Sequence, residues 1–194
     1  MNTEKYKDFI NKEINTYKFI DYLKEKRFDY KVPVNIEEII NFLSIEIKNK
    51  PDFRKINVTG NITVKNGIPS IWINPMQNKM IERKRFTLAH ELGHYILHIA
   101  PTNKLDDEIN DEKIVYNRDN NWNKIEMQAN NFAAQLLMPS DLISNEIERI
   151  IIEHKKNTSE GRMDKDILIE KLAKEFQVSL SAMEFRLSSL GVNL

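Results

Sequence analysis

Three of the four histidines in this chain lie within one short stretch, Arg85 to His98, which reads RFTLAHELGHYILH. On a helix, residues four apart differ by about 40° around the axis, so His90 and His94 project from one face, one turn apart. Two imidazoles in this arrangement can hold one Zn²⁺, each with its nitrogen at about 2.0–2.1 Å. Glu91 lies beside them, close enough to reach a metal-bound water without ligating the metal.

The pattern His90-Glu91-Leu92-Gly93-His94 is therefore typical of a zinc-dependent peptidase with the glutamate as general base. The alternative is an ordinary helix that carries polar residues, because three specified residues coincide by chance in roughly one chain in a hundred of this length. Few chance matches would fall in a mainly apolar helix. Gly93 costs this helix about 1 kcal/mol relative to alanine, which a close approach by a strand or by substrate would justify.

A catalytic zinc also needs a third protein ligand and an open position for water. His98 lies one turn beyond His94, but three ligands spread over about 12 Å of one helix axis diverge, so we expect His98 to support a ligand. Glu126 lies on a later predicted helix that can return antiparallel to the first. Asn130, one turn after it, can orient a ligating imidazole. The sequence therefore predicts Glu126 as third ligand.

Helices are predicted wherever apolar residues recur with helical spacing. Asn35 is a good N-cap for the second of them, with Glu38 three residues on, as in a capping box. Gly191 should close the last helix. The predicted helices cover residues 5–26, the segment VPVNIEEIINFL, residues 78–98, the segment KIEMQANNFAAQLLMP, the segment SDLISNEIERIIIEH, and two short helices joined near Val178.

Strands are predicted mainly before the motif helix. Asn66-Gly67 is a strong hairpin signal, so Ile62–Val64 and Ser70–Ile73 should pair antiparallel. The segment SIEIK is a further short strand. Residues 101–122 are polar and acidic and are interpreted as a long loop with one short strand near Ile114–Tyr116. The fold class is therefore α+β, mainly helical, with a small antiparallel sheet before the motif helix.

The composition excludes several kinds of protein. The 194 residues include 29 basic and 29 acidic side chains, and this balance lacks the basic excess of a dedicated nucleic-acid binder. The absence of cysteine excludes disulfides and thiolate nucleophiles. The charged N-terminus does not resemble a signal peptide, and no window has 18 uncharged apolar residues. We expect a cytoplasmic protein that does not enter a membrane.

Two segments, RKRFTLAHELGHYILH and EMQANNFAAQLLMP, resemble the hallmark motifs of the ImmA/IrrE family of metallopeptidases. The flanking segments VPVNIEEIINFLSIEI and LAKEFQVSLSAMEFRLSSLG are also similar, so the resemblance covers about residues 30–192. It implies a zincin-like core that binds one Zn²⁺ through His90, His94 and Glu126, with Glu91 as the catalytic acid and base. The expected organisation is an N-terminal amphipathic helix (1–30), the peptidase core (31–140) and a C-terminal helix-turn-helix-like subdomain (141–194).

The resemblance further implies a protein substrate, namely a helix-turn-helix transcriptional repressor whose cleavage derepresses genes of a phage, a mobile element or a stress response. One alternative is a protein that binds the repressor without cutting it. Another is a DNA-binding regulator that uses the C-terminal helices. The usual turn glycine is absent there, and Arg186 is the only cation from Ser179 to Leu190, so we expect no direct DNA binding.

Two further roles are left as hypotheses. The strand containing Ser70, Ile71 and Ile73 is proposed as a sheet edge to which a substrate chain adds as an extra strand. A donor that stabilises the tetrahedral oxyanion is also required. The sequence does not choose among Tyr95, Tyr116 and Arg162 for that role.

Overall fold

The computed structural model describes residues 4–103, 106–112, 120–157 and 163–192. The strands in these ranges are β1 (Glu46–Lys48), β2 (Val58–Lys65), β3 (Ile68–Ile73) and β4 (Asp107–Glu112). The α-helices are α1 (Thr16–Glu25), α2 (Ile36–Phe42), α3 (Ile81–His94), α4 (Asn120–Leu137), α5 (Ser140–Asn157), α6 (Lys165–Phe176) and α7 (Leu180–Ser189). The predicted mainly helical α+β class is confirmed.

The predicted hairpin is confirmed at Asn66-Gly67, where both residues have positive φ angles of 50° and 75°. This turn geometry matches the twist of the two strands, and it sets β2 and β3 antiparallel with Ile62 opposite Ile71. The sheet order is β1-β3-β2-β4, with β1 parallel to β3 and β4 antiparallel to β2. The sheet is therefore mixed, and its fourth strand follows the motif helix instead of preceding it.

The hypothesis that β3 forms a free sheet edge is wrong. Ser70 and Ile71 pair with β1, and Ile73 lies opposite Gly60 of β2. The chain leaving α2 runs parallel to β3 and covers that side, which a hairpin signal alone does not reveal. A substrate strand therefore cannot add to Ser70, Ile71 and Ile73. The strand expected near residues 114–116 falls outside the described residues, and β4 lies within the segment that was predicted to be a loop.

The N-terminal segment is not the single helix that its periodicity predicted. A 3-10 turn at Lys5–Phe9 is separated from α1 by Asn11, whose φ is 60°, and by Asn15. The Asn15 side chain accepts a hydrogen bond from the amide of Lys18 and caps α1. Asparagine favours such turns and caps over helix interiors, so it divides the segment in two. Both parts contribute buried residues to the core, including Phe9 and Phe19, whose ring centroids lie 5.5 Å apart.

The motif helix α3 is the centre of the molecule. Every residue from 87 to 94 is buried, and the chain continues into a π-helical turn at Tyr95–Ile99. The Arg85 guanidinium, also buried, donates to the carbonyls of Val34, Phe176 and Gln177 and so ties the α6–α7 connection to α3. Among the described residues, no helix has the length and apolar content needed to cross a bilayer.

Candidate metal centre

Two helices bring His90, His94 and Glu126 together. The imidazoles project from one face of α3, and α4 returns antiparallel so that Glu126 faces them. The Nε2 atoms of His90 and His94 are 2.9 Å apart. The Glu126 carboxylate lies 3.4 Å from Nε2 of His90 and 3.3 Å from Nε2 of His94. The sequence-predicted ligand set is thus one cluster, with all ligand atoms within 4.8 Å of one another.

These distances fit a single small cation. Tetrahedral ligands bonded at about 2.0–2.1 Å to one zinc ion lie about 3.3 Å from one another, and the observed separations agree to within a few tenths of an ångström. The two imidazole nitrogens and the carboxylate also face one another, and this arrangement needs a positive species between them. Two histidines with one glutamate are a donor set that catalytic zinc sites use.

Asn130 lies where the sequence prediction placed it, one turn after Glu126 and against His90. The Oδ1 atom of Asn130 is 3.0 Å from Nδ1 of His90. In the tautomer protonated at Nδ1, His90 donates to this oxygen and directs the Nε2 lone pair at the cluster. A hydrogen bond of this kind fixes the orientation of a ligating ring and raises its basicity.

The electrostatics of Glu126 favour its charged form. Burial raises the pKa of the Glu126 carboxyl, but hydrogen bonds and charge interactions with His90 and His94 lower it more, so the pKa falls to about 2. Glu126 therefore presents a full negative charge to the cluster at neutral pH, which is the state that a divalent cation requires.

His98 lies beside the cluster. Its ring centroid is 5.6 Å from that of His94, and it donates to the carbonyl of Ile125 on α4. Burial, helped by the neighbouring His94, lowers the pKa of His98 to about 4, so the ring is neutral at physiological pH. Its predicted role in supporting a ligand remains a prediction.

Glu91 is fully buried on the side of α3 that faces β2. A Cβ atom added to Gly60 would lie 2.8 Å from Oε1 of Glu91 and 2.8 Å from the Thr87 methyl group. Gly60 therefore leaves the space that the carboxylate occupies. Sequence reasoning missed Gly60, although a glycine inside a strand pattern is a signal of close backbone approach.

A buried hydrogen-bond network fixes β2 against α3 and was also missed. The Thr87 hydroxyl donates to Oδ1 of Asn78 at 2.7 Å, and Nδ2 of Asn78 donates to the carbonyls of Thr59 and Asn74 at 2.8 Å each. Thr59 immediately precedes Gly60, so the network sets the distance between the strand and Glu91. In the sequence, the spacing of Asn78 and Thr87 does not distinguish them from polar residues that have no such contact.

Two other expectations are resolved by packing. The neighbour that requires Gly93 is Phe132 of α4, since an added Cβ would lie 3.0 Å from its ring, so neither a strand nor substrate is the reason for the glycine. Tyr95 donates its hydroxyl to the carbonyl of Tyr6 in the core and does not face the cluster. The other two donor candidates, Tyr116 and Arg162, lie outside the described residues.

The comparison with known families points in the same direction as the geometry. A family model for Peptidase_M78, described as the IrrE N-terminal-like domain, matches residues 40–188, well over half of the chain. The matched range includes both histidines, Glu91 and Glu126. No curated protein matches the chain.

Proposed function

Since the chain belongs to the IrrE N-terminal-like family of peptidases, we propose that it is an endopeptidase that uses one Zn²⁺ to hydrolyse a peptide bond in a protein substrate. The observation that carries this proposal is the convergence of His90, His94 and Glu126, and Glu91 is buried on the same helix between the two histidines. Family membership supports a metallopeptidase. The identity of the metal and the role of Glu91 are parts of the proposal.

Bound Zn²⁺ would polarise the scissile carbonyl and lower the pKa of water toward about 7. The two imidazoles and Glu126 hold the ion, and Asn130 keeps the His90 ring in the ligating tautomer. Glu91 accepts a proton from the attacking water, whose oxygen bonds to the carbonyl carbon. Glu91 then gives the proton to the nitrogen as the C–N bond breaks, so that a carboxylic acid and an amine leave. Burial shields this proton from bulk water.

We propose further that the substrate is a helix-turn-helix repressor, which is the substrate class that the family resemblance implies. Cleavage would remove repression from genes of a phage, a mobile element or a stress response. The support for this part is the pair of motifs around His90 and Glu126 together with the matched family, because the geometry of the metal centre itself is compatible with many polypeptides.

The DNA-binding alternative finds little support in the C-terminal helices. Arg186 was the one cation available between Ser179 and Leu190 to meet phosphates. Its side chain is buried, and its Nε donates to the carbonyl of Met138 at 2.9 Å. A guanidinium held in the core in this way cannot reach a DNA backbone.

The discriminating experiment mixes the purified chain with candidate helix-turn-helix repressors taken from the genes that flank its own, with and without Zn²⁺, and compares wild type with Glu91→Gln. We expect a discrete repressor fragment only from wild type with zinc, while Glu91→Gln keeps its zinc and produces none. If Glu91→Gln relieves repression as well as wild type does, the protein sequesters the repressor and hydrolysis is not its function.

A further inference from the structure

An apolar groove of about 1100 Å³ lies beside the metal centre. Its walls come from the start of α3, from α4 and from the first turns of α7. The large apolar side chains that line it are Met80, Phe86, Met127, Met138, Leu180 and Phe185. A volume of this size exceeds one side chain and matches the sites that hold several groups of a ligand.

The groove is continuous with the metal centre. Glu126 and Asn130 line the groove and also belong to the cluster or contact it. On α3, Phe86 lies one turn before His90 on the same face, and on α4, Ala134 lies one turn after Asn130. The groove therefore extends from the metal centre along the seam between the same two helices, and α7 closes its far side.

The exposure of the lining is unusual for a surface that contacts only water. Phe185 is 67% exposed, Met80 66% and Met127 56%. Meanwhile Met183 and Leu187, also on α7, are buried in the core. A helix that is apolar on both sides packs against the core with one face and offers the other to a partner.

We propose that this groove binds substrate side chains next to the scissile bond, so that the protein cleaves beside large apolar residues such as leucine, methionine and phenylalanine. The inference rests on the proposed peptidase function and names its specificity. Because Glu126 lines both sites, a chain that places a carbonyl at the metal centre and runs past Glu126 puts its adjacent side chains in the groove. Burying them removes apolar surface from water on both partners.

The lining also indicates how selective the groove is. Met80 and Met127 are exposed, flexible and polarisable, so they adapt to aliphatic and aromatic side chains alike. Glu82 and Arg83 on the rim have opposite charges, and neither sign dominates the entrance. We therefore expect selection for apolar size, with little selection for charge or for one side-chain shape.

The test uses displayed random 12-residue peptides selected on the Glu91→Gln chain with Zn²⁺ present, so that binding is read without cleavage. We expect the selected peptides to be rich in large apolar residues. The best peptide should bind at least about tenfold more weakly to a chain that also carries Leu180→Ala and Phe185→Ala. Phe53→Ala and Ile152→Ala are matched controls, because these side chains are 76% and 46% exposed outside the groove.

The outcomes distinguish a failure of the groove proposal from a failure of the peptidase proposal. Failure to select peptides, selection without apolar enrichment, or equal binding by the groove variants would overturn the proposed specificity. Thermal unfolding of each variant shows whether it is folded. Leu180 and Phe185 are both exposed, so their truncation leaves the core untouched. If the selected peptides bind through the groove and zinc-loaded wild type leaves them intact, the groove is a binding site for apolar peptides, but the peptidase proposal fails and the groove then selects no cleavage site.

Discussion

The substitution Gly60→Ala tests how closely strand β2 and the Glu91 carboxylate must fit. The added methyl group would lie 2.8 Å from both Oε1 of Glu91 and the Thr87 methyl group, and 3.2 Å from Cγ of Glu91. Ordinary van der Waals contact begins at about 3.4 Å, so Glu91 or the strand must move by at least about half an ångström. The Asn78 network holds the strand in place. The carboxylate is therefore the group that we expect to move.

A misplacement of about 1 Å in a reacting group can reduce turnover roughly 100-fold. For a displacement of the Glu91 carboxylate by about half an ångström, we therefore expect kcat to fall about 10- to 100-fold. Zinc content should stay at the wild-type level, because the atoms nearest to the added methyl group belong to Glu91 and Thr87 and not to any of the three ligands. Overpacking should also lower the free energy of unfolding by about 1–3 kcal/mol. For a chain of this size that corresponds to a decrease in Tm of about 2–12 °C.

The assay compares cleavage rate, bound zinc and Tm for wild type, Gly60→Ala and Gly191→Ala. Gly191 has a φ of +69°, and an added Cβ would meet nothing within 4 Å. Gly191→Ala therefore introduces backbone strain of about 1 kcal/mol without contact between its methyl group and Glu91, and it should leave kcat unchanged. Wild-type turnover by a folded, zinc-loaded Gly60→Ala protein would refute the conclusion that Glu91 works from its place against β2.

Three further predictions concern the surroundings of the site. Asn130→Ala removes the acceptor for Nδ1 of His90 and should weaken zinc affinity roughly 10- to 100-fold. A competition titration with a chelator measures this affinity, and an unchanged value would contradict the orienting role of Asn130. Burial and the nearby His94 lower the pKa of His98 to about 4, compared with about 6.5 in an unfolded chain. The unfolded state therefore binds the extra proton, and the stability contributed by neutral His98, fully present above pH 6.5, is lost as the pH falls toward 4. Urea unfolding of the metal-free protein should show a steeper loss over this window for wild type than for His98→Phe, and equal slopes would contradict it. Arg85→Met leaves three carbonyls without their donor and should destabilise the protein by about 3 kcal/mol or more, which lowers Tm by about 6–12 °C. Arg83→Met is the surface control. A Tm of Arg85→Met within about 2 °C of wild type would contradict the tethering role.

Those parts of the fold that depend on local signals were predictable from the sequence. The Asn66-Gly67 turn, the Asn35 cap and the junction of α6 with α7 near Val178 follow from residue types at fixed spacings, and each occurs as expected. The same holds for the ligand cluster. The i, i+4 spacing of two histidines and the strong helix around Glu126 were enough to bring the three side chains together.

The features that escaped prediction all depend on which elements lie next to each other. The parallel pairing of β1 with β3 joins segments separated by the β2 hairpin arm, and nothing local in SIEIK specifies that partner. The need for Gly60 arises from Glu91, and that for Gly93 from Phe132 on another helix. The interruption of the first helix was different, because Asn11 and Asn15 are local signals for a turn and a cap. The prediction of one helix gave more weight to the helical spacing of the apolar residues than to these two asparagines.

The central claim is that one zinc ion is held between α3 and α4 by His90, His94 and Glu126. Diffraction data collected from zinc-loaded crystals on both sides of the zinc absorption edge test it most directly. We expect one strong anomalous peak per chain, at bonding distance from both Nε2 atoms and from the carboxylate of Glu126. Zinc bound elsewhere, or a zinc ion that lacks Glu126 or either imidazole as a ligand, would contradict it.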